Sequence, residues 1–165
     1  MKPWAKRTRE EAHLFNPPFC CVTLTSACAG FNETSGQPLP FALAFMVLPI
    51  VLHRTTREYL PRTTRTSIPI WLQEHAEARL GFHERLMALK PHTREALRYG
   101  LVLNWVAIGD LGCLRCVVAQ NRITRSIQSL DGDARECVSR ARFLGKWFGT
   151  SSSAETLMAL WGIRP

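Results

Sequence analysis

Apolar residues are spread unevenly along the chain, and their spacing predicts a mainly α-helical fold. The densest run, 39–52, has no polar face and reads as a helix over about 40–52 that is buried on nearly all sides. Ahead of it, Asn16-Pro17-Pro18 is a helix-start pattern, a capping residue followed by proline in the first turn. That helix is expected to run over about 17–29 and to stop at Gly30, leaving 30–40 as a loop. Residues 8–14 offer one further short helical turn.

Past residue 66 the rhythm changes. Residues 67–73 suit a short helix. Ala78, Phe82, Leu86 and Leu89, at spacings of four, four and three, predict an amphipathic helix over about 74–89. Pro91 is expected to open the next one, with Ala96, Leu97, Leu101 and Leu103 inside and Arg94, Glu95 and Arg98 outside. Trp105-Val106-Ala107-Ile108 and residues 113–118 flank the turn Gly109-Asp110-Leu111-Gly112 and read as a hairpin. Helix, helix, hairpin is the order of a winged helix-turn-helix, with 92–103 in the recognition position and the hairpin as wing. A polar link, 119–130, leads to a helix over 132–148 starting near Asp131 or Asp133. A last helix, about 154–161, has serine at its cap and Glu155 in its first turn. The expected organisation is thus a helical N-terminal part (1–66), a winged-helix-like centre (67–118) and C-terminal helices (119–165), packed as one unit.

Charge narrows the range of partners. The chain carries 21 basic and 13 acidic residues, a net +8, which favours nucleic acid or an acidic protein surface. Residues 1–65 hold 8 basic and 4 acidic groups, 66–109 hold 5 and 4, and 110–165 hold 8 and 5. The excess lies toward both ends, so there is no lysine-rich tail of the kind that coats DNA indiscriminately. As a helix, the run 39–52 covers about 21 Å, against roughly 30 Å for a bilayer core, and Pro40 and Pro49 interrupt it. No membrane span is expected. Ala27-Cys28-Ala29 imitates a leader-cleavage site, but Glu10, Glu11, Asn16, Pro17 and Pro18 spoil the hydrophobic core a leader needs. The chain is therefore expected in the cytoplasm with its six cysteines reduced.

Candidate chemistry is sparse. The loop from Gly30 to Gly36 has five residues between its glycines and Gln37 after them, where a phosphate loop needs four and then lysine. Cys113-x-x-Cys116 could be half a zinc site, yet no second pair accompanies it, and residues three apart on a strand face opposite ways. The five histidines form no ligand spacing, and there is no Gly-x-Ser-x-Gly elbow. No enzyme activity, metal or cofactor is expected. Two copies of Arg-Thr-Thr-Arg place Arg54, Arg57, Arg62 and Arg65 as contacts for nucleic-acid phosphates or an acidic partner, and Arg94 and Arg98 join them one helical turn apart. The same arginines could instead form a solvated face. Phe41, Phe45, Trp71, Trp147, Phe148 and Trp161 are candidate partner-interface anchors, with closure of the chain's own core as the competing reading.

Several of these stretches carry a resemblance. Asn16-Pro17 with Phe19-Cys20, Gly36-Gln37-Pro38-Leu39-Pro40-Phe41-Ala42 and Val47-Leu48-Pro49-Ile50-Val51-Leu52-His53 are among them. So are Thr56-Arg57-Glu58, Leu60-Pro61, Trp71-Leu72, Arg79-x-Gly81-Phe82-x-x-Arg85 and Pro91-x-Thr93-Arg94-Glu95-Ala96-Leu97. Gly145-Lys146-Trp147-Phe148 and Leu160-Trp161-Gly162-Ile163-Arg164-Pro165 complete the series. In this order they resemble the middle components of bacterial three-component ABC systems, a group that includes the Lamassu accessory subunit. The resemblance implies a non-enzymatic bridge in anti-phage or anti-plasmid defence. Its partners would be an SMC/Rad50-like ABC ATPase, as a dimer, and an effector subunit, a nuclease, with double-stranded DNA engaged through the complex. It supplies no catalytic residue and gives no role to the 119–130 link or to the cysteines of the first helix. The alternative reading of the residues is a stand-alone winged-helix DNA-binding regulator.

Overall fold

Proline in the first turn starts helix α1, Pro17–Ser35, and Gly36 ends it by taking a left-handed conformation (φ 68°) and donating its N–H to the Asn32 carbonyl. The computed structural model describes residues 15–151 and 153–163, and the turn expected over 8–14 lies outside the described residues. Helix α1 runs straight through Gly30, where the sequence placed its end. The reason is packing against a later helix, α7 (Gly132–Phe148). A Cβ on Gly30 would stand 2.1 Å from the Arg142 carbonyl oxygen, and one on Gly145 would stand 2.0 Å from that of Ala27. Each helix offers a bare backbone to the other, so they meet main chain to main chain.

Around this crossing the remaining elements are laid. Strand β1 (Leu39–Pro40) leads into α2 (Phe41–Val51), whose residues from Met46 to Val51 are all buried. Helix α3 (Arg54–Tyr59) is capped by the His53 ring, which accepts the Thr56 N–H. Helix α4 (Ile68–Glu74) and a short 3-10 turn (Ala76–Arg79) follow. Helix α5 then spans Phe82–Val102 without a break. The sequence placed a helix boundary at Pro91, so the separate recognition helix expected over 92–103 is corrected to the second half of one long helix. An interior proline costs about 3 kcal/mol, but Phe82 on one side of Pro91 and Ala96 and Leu97 on the other are buried, and the packing of the helix against α1 and α2 holds the axis continuous.

The hairpin is present as β2 (Val106–Gly109) and β3 (Cys113–Cys116), antiparallel, with Ile108 opposite Leu114. It is not a free wing. Strand β1 adds to β3 through Leu39 opposite Leu114, giving the order β1-β3-β2 and tying the hairpin to the start of α2. The expected polar link is a helix, α6 (Gln120–Gln128), with Ile123 fully buried. Helix α8 (Ala154–Leu160) closes the described chain, and Ser153 caps it by accepting the Thr156 N–H at 3.1 Å. The three stretches that the sequence separates contribute to one hydrophobic core.

Candidate interaction surfaces

Of the six candidate arginines, five lie on the surface and one does not. Arg54, Arg62, Arg65, Arg94 and Arg98 are exposed. Arg57 is 3% exposed: its Nη1 donates to the Val51 carbonyl at 3.0 Å and to the Cys137 sulfur at 3.1 Å. Asp133 and Glu136 of α7 flank the same guanidinium at 3.5 and 3.6 Å. The first Arg-Thr-Thr-Arg is wound into α3, which turns Thr56 and Arg57 inward, whereas the second lies outside any helix. The doubled motif therefore does not form one basic patch, and Arg57 is corrected from a surface contact to an interior strut between α3 and α7. Arg54 is held by Glu58 at 2.7 Å across one helical turn.

Continuity of α5 through Pro91 creates a surface the sequence reading missed. Met87, Arg94, Arg98 and Val102 recur at spacings of seven, four and four, which sets them on one side of a single helix. All four are exposed, Val102 at 81%, and Leu80 just before the helix is exposed at 72%. The row is apolar at its ends and doubly basic in the middle. The spacing is visible in the sequence only if the helix is not cut at Pro91.

The aromatic candidates divide differently. Trp71, Trp147, Phe148 and Trp161 are all buried in the chain's own core. Trp71 and Trp147 meet edge to face at 5.4 Å, and Trp161 stacks obliquely on Phe82 at 4.7 Å. The Trp71 indole donates to the Tyr59 carbonyl at 3.0 Å and the Trp147 indole to the Thr66 carbonyl at 2.7 Å. These four are corrected from partner anchors to internal fasteners. Phe41 remains exposed and Phe45 half-buried, the two rings packed edge to face at 5.4 Å.

One polar cluster braces the α1–α7 crossing from outside. Glu33 pairs with Arg142 and, at 2.9 Å, with Lys146. Burial pushes the Glu33 carboxyl up, but Lys146 and Arg142 outweigh it and hold it below its ordinary value. A depressed carboxyl stabilises the fold above its unfolded range and loses that contribution as pH falls through the folded one. Glu33→Gln is therefore expected to lower the melting temperature at neutral pH, with the difference from wild type shrinking at acid pH as the folded-state carboxyl is protonated. Melts at the two pH values check this; an equal difference at both would remove the ion pair from the account.

The thiols offer little reactivity. Burial pushes the Cys21 thiol up to about 11 and Cys28 higher still, so both stay protonated at neutral pH. Cys113 and Cys116 sit at opposite ends of β3. Among the described residues no three His, Cys, Asp or Glu side chains are grouped as a metal site. Among the same residues no helix is long and apolar enough to cross a membrane.

A family model described as the ABC-three component (ABC-3C) system Middle Component 3 matches residues 4–165. The chain belongs to this family. No curated protein and no solved structure matches it. As a Middle Component 3 chain it is one part of a multi-component ABC system, and the other ABC components are its partners. The match spans every element of the fold described above, so the buried arginine, the tryptophan cluster and the glycine crossing all belong to the Middle Component 3 body.

Proposed function

We propose that this Middle Component 3 chain is a non-catalytic adaptor that couples an SMC/Rad50-like ABC ATPase to an effector, a nuclease, in an anti-phage or anti-plasmid defence complex, as the Lamassu accessory subunit does in the systems it resembles. The observation that carries this reading is the family match over residues 4–165. The geometry supports it through the exposed face of α5. Methionine and arginine are enriched at protein interfaces, and a row of Met87, Arg94, Arg98 and Val102 presents apolar area on either side of two cations. Such a row fits a groove on a partner component with an acidic centre and apolar flanks. Arg62 and Arg65, outside the α3 helix, are further exposed cations that would meet acidic partner groups or the phosphates of DNA held by the complex. Action in the cytoplasm is part of the same proposal.

The reading is tested by co-expressing the chain with the ATPase and effector encoded beside it and following the three through size-exclusion chromatography. Co-elution is expected, and Val102→Asp with Arg98→Glu is expected to release the chain from the complex while leaving it folded. A chain that elutes alone and monodisperse beside its neighbours would overturn the adaptor. The stand-alone winged-helix regulator is the weaker reading, because α5 has no turn ahead of residue 92 and the hairpin is held by β1.

A further inference from the structure

The last turn of α5 ends in exposed apolar side chains. Tyr99 is 38% exposed, Val102 81% and Leu103 44%. At about 3.6 residues per turn the three fall within roughly 100° of arc, and Val102 joins that arc to the row of Met87, Arg94 and Arg98. The partner-facing surface of α5 therefore does not stop at Val102 but turns the corner of the helix toward α6.

Beyond that corner a cleft of about 310 Å³ opens between α1, the end of α5 and α6. Phe19, Tyr99, Leu103 and Trp105 form its apolar walls, Ser126 and Ser129 line the α6 side, and no charged side chain is among its described lining. The walls are fixed before anything enters. Asn104 takes a left-handed conformation (φ 54°) as the chain leaves α5. The Trp105 N–H donates to the Gly100 carbonyl at 2.8 Å, and its carbonyl accepts the Val117 and Val118 N–H groups at 2.9 and 3.2 Å. Arg122 of α6 lies over the Trp105 ring at 5.6 Å and ties the two elements together. A wall already ordered loses little further freedom when it is covered. The volume is at the bottom of the roughly 300–1,000 Å³ range of small-molecule sites, and the lining offers no charged group to hold an ionic ligand. It suits one large apolar side chain inserted from a partner, the form that interface anchors take.

We infer that this cleft is the anchor pocket of the partner interface, filled by an aromatic side chain from an amphipathic helix of the partner component. The inference rests on the adaptor reading and says what the partner presents. From Met87 to Val102 the row runs along one helix for about 22 Å, roughly four turns, so a helix laid beside it meets every member. Carboxylates in the middle of that helix meet Arg94 and Arg98. The aromatic residue follows about one to two turns beyond them and reaches past Val102 into the cleft. Glu84 and Glu95 stand beside the row on α5, so charge orients the partner helix and the apolar cleft supplies the hold.

The test measures binding of the chain to the purified ATPase and effector encoded beside it by biolayer interferometry, with the melt and the solution mass of each variant recorded alone. Ser129→Trp fills the cleft with an indole without adding charge, and Leu103→Asp places a carboxylate in its wall. Both positions are exposed, so each variant is expected to melt like wild type and to bind at least tenfold more weakly. Binding kept by both cleft variants but lost in Val102→Asp with Arg98→Glu would overturn the anchor and leave the adaptor standing. No binding by the wild type would overturn both. A melt lowered by Ser129→Trp with binding intact would give the cleft to another segment of this chain, and a wild-type dimer that Ser129→Trp dissociates would give it to a second copy; either result overturns the inference.

Discussion

Gly145→Ala is expected to cost the fold at least about 3 kcal/mol, the upper end of what a single added methyl does in a packed core. Total stabilities of roughly 5–15 kcal/mol leave little margin for such a loss. The added carbon would overlap the Ala27 carbonyl oxygen at 2.0 Å, its carbonyl carbon at 2.8 Å and the Phe31 nitrogen at 2.9 Å. All three are main-chain atoms of α1, so no rotamer change makes room and the two helices must separate. Gly30→Ala meets Arg142 and Lys146 backbone in the same way and is expected to be as damaging. Gly36→Ala is the informative contrast: nothing lies within 4 Å of its Cβ, and only its left-handed backbone (φ 68°) opposes the substitution. That strain costs about 1 kcal/mol. Urea melts of the three variants are expected to rank Gly36→Ala far milder than the other two, and comparable losses at all three positions would show that the α1–α7 contact is looser than described.

Trp147→Ala is expected to destabilise the isolated chain by about 3–5 kcal/mol. The ring is fully buried, meets Trp71 edge to face, packs at 6.1 Å on Phe143, and its indole N–H satisfies the Thr66 carbonyl. Removing it opens a large cavity and leaves the half-buried Thr66 carbonyl without its donor. Trp147→Phe keeps most of the apolar area and loses the hydrogen bond, so its expected cost is smaller, about 1–3 kcal/mol. The pair decides between the two roles the sequence left open. A partner anchor truncated to alanine leaves the free protein's melt unchanged and weakens only the complex, whereas a core fastener shows its loss with no partner present. An unaltered melt for Trp147→Ala would return the residue to the interface.

What the sequence made legible follows from which signals are local. The buried helix over 41–51 announced itself by the absence of any polar face, and the hairpin by β-prone runs around Gly109-Asp110. Pro17 marked one helix start through its fixed dihedral, although Asn16 makes no side-chain cap bond, and Ser153 marked another through the cap bond it makes. The errors have one cause in common. Gly30 and Pro91 are strong helix breakers by local propensity, and both lie inside helices. A contact with a segment more than a hundred residues away makes Gly30 necessary to its helix, and packing against α1 and α2 carries α5 past Pro91. Helix α6 was legible in principle, since Ile123, Ile127 and Leu130 keep helical spacing, but its polar composition masked the stripe. Five of the six candidate arginines are exposed and Arg57 is not: nothing in Arg-Thr-Thr-Arg tells which copy will wind into a helix and bury its last residue.

The α1–α7 crossing also sets an order of events at the ribosome. Helix α1 is translated well before the segment that sheathes it, Gly132–Phe148. Until then α1 has only α2 and α5 to pack on and lacks its main partner, and sequence separation of this size slows the final closure. A nascent middle component therefore carries the bare glycine face of α1 until α7 is made, and that face is where it can aggregate in the interval.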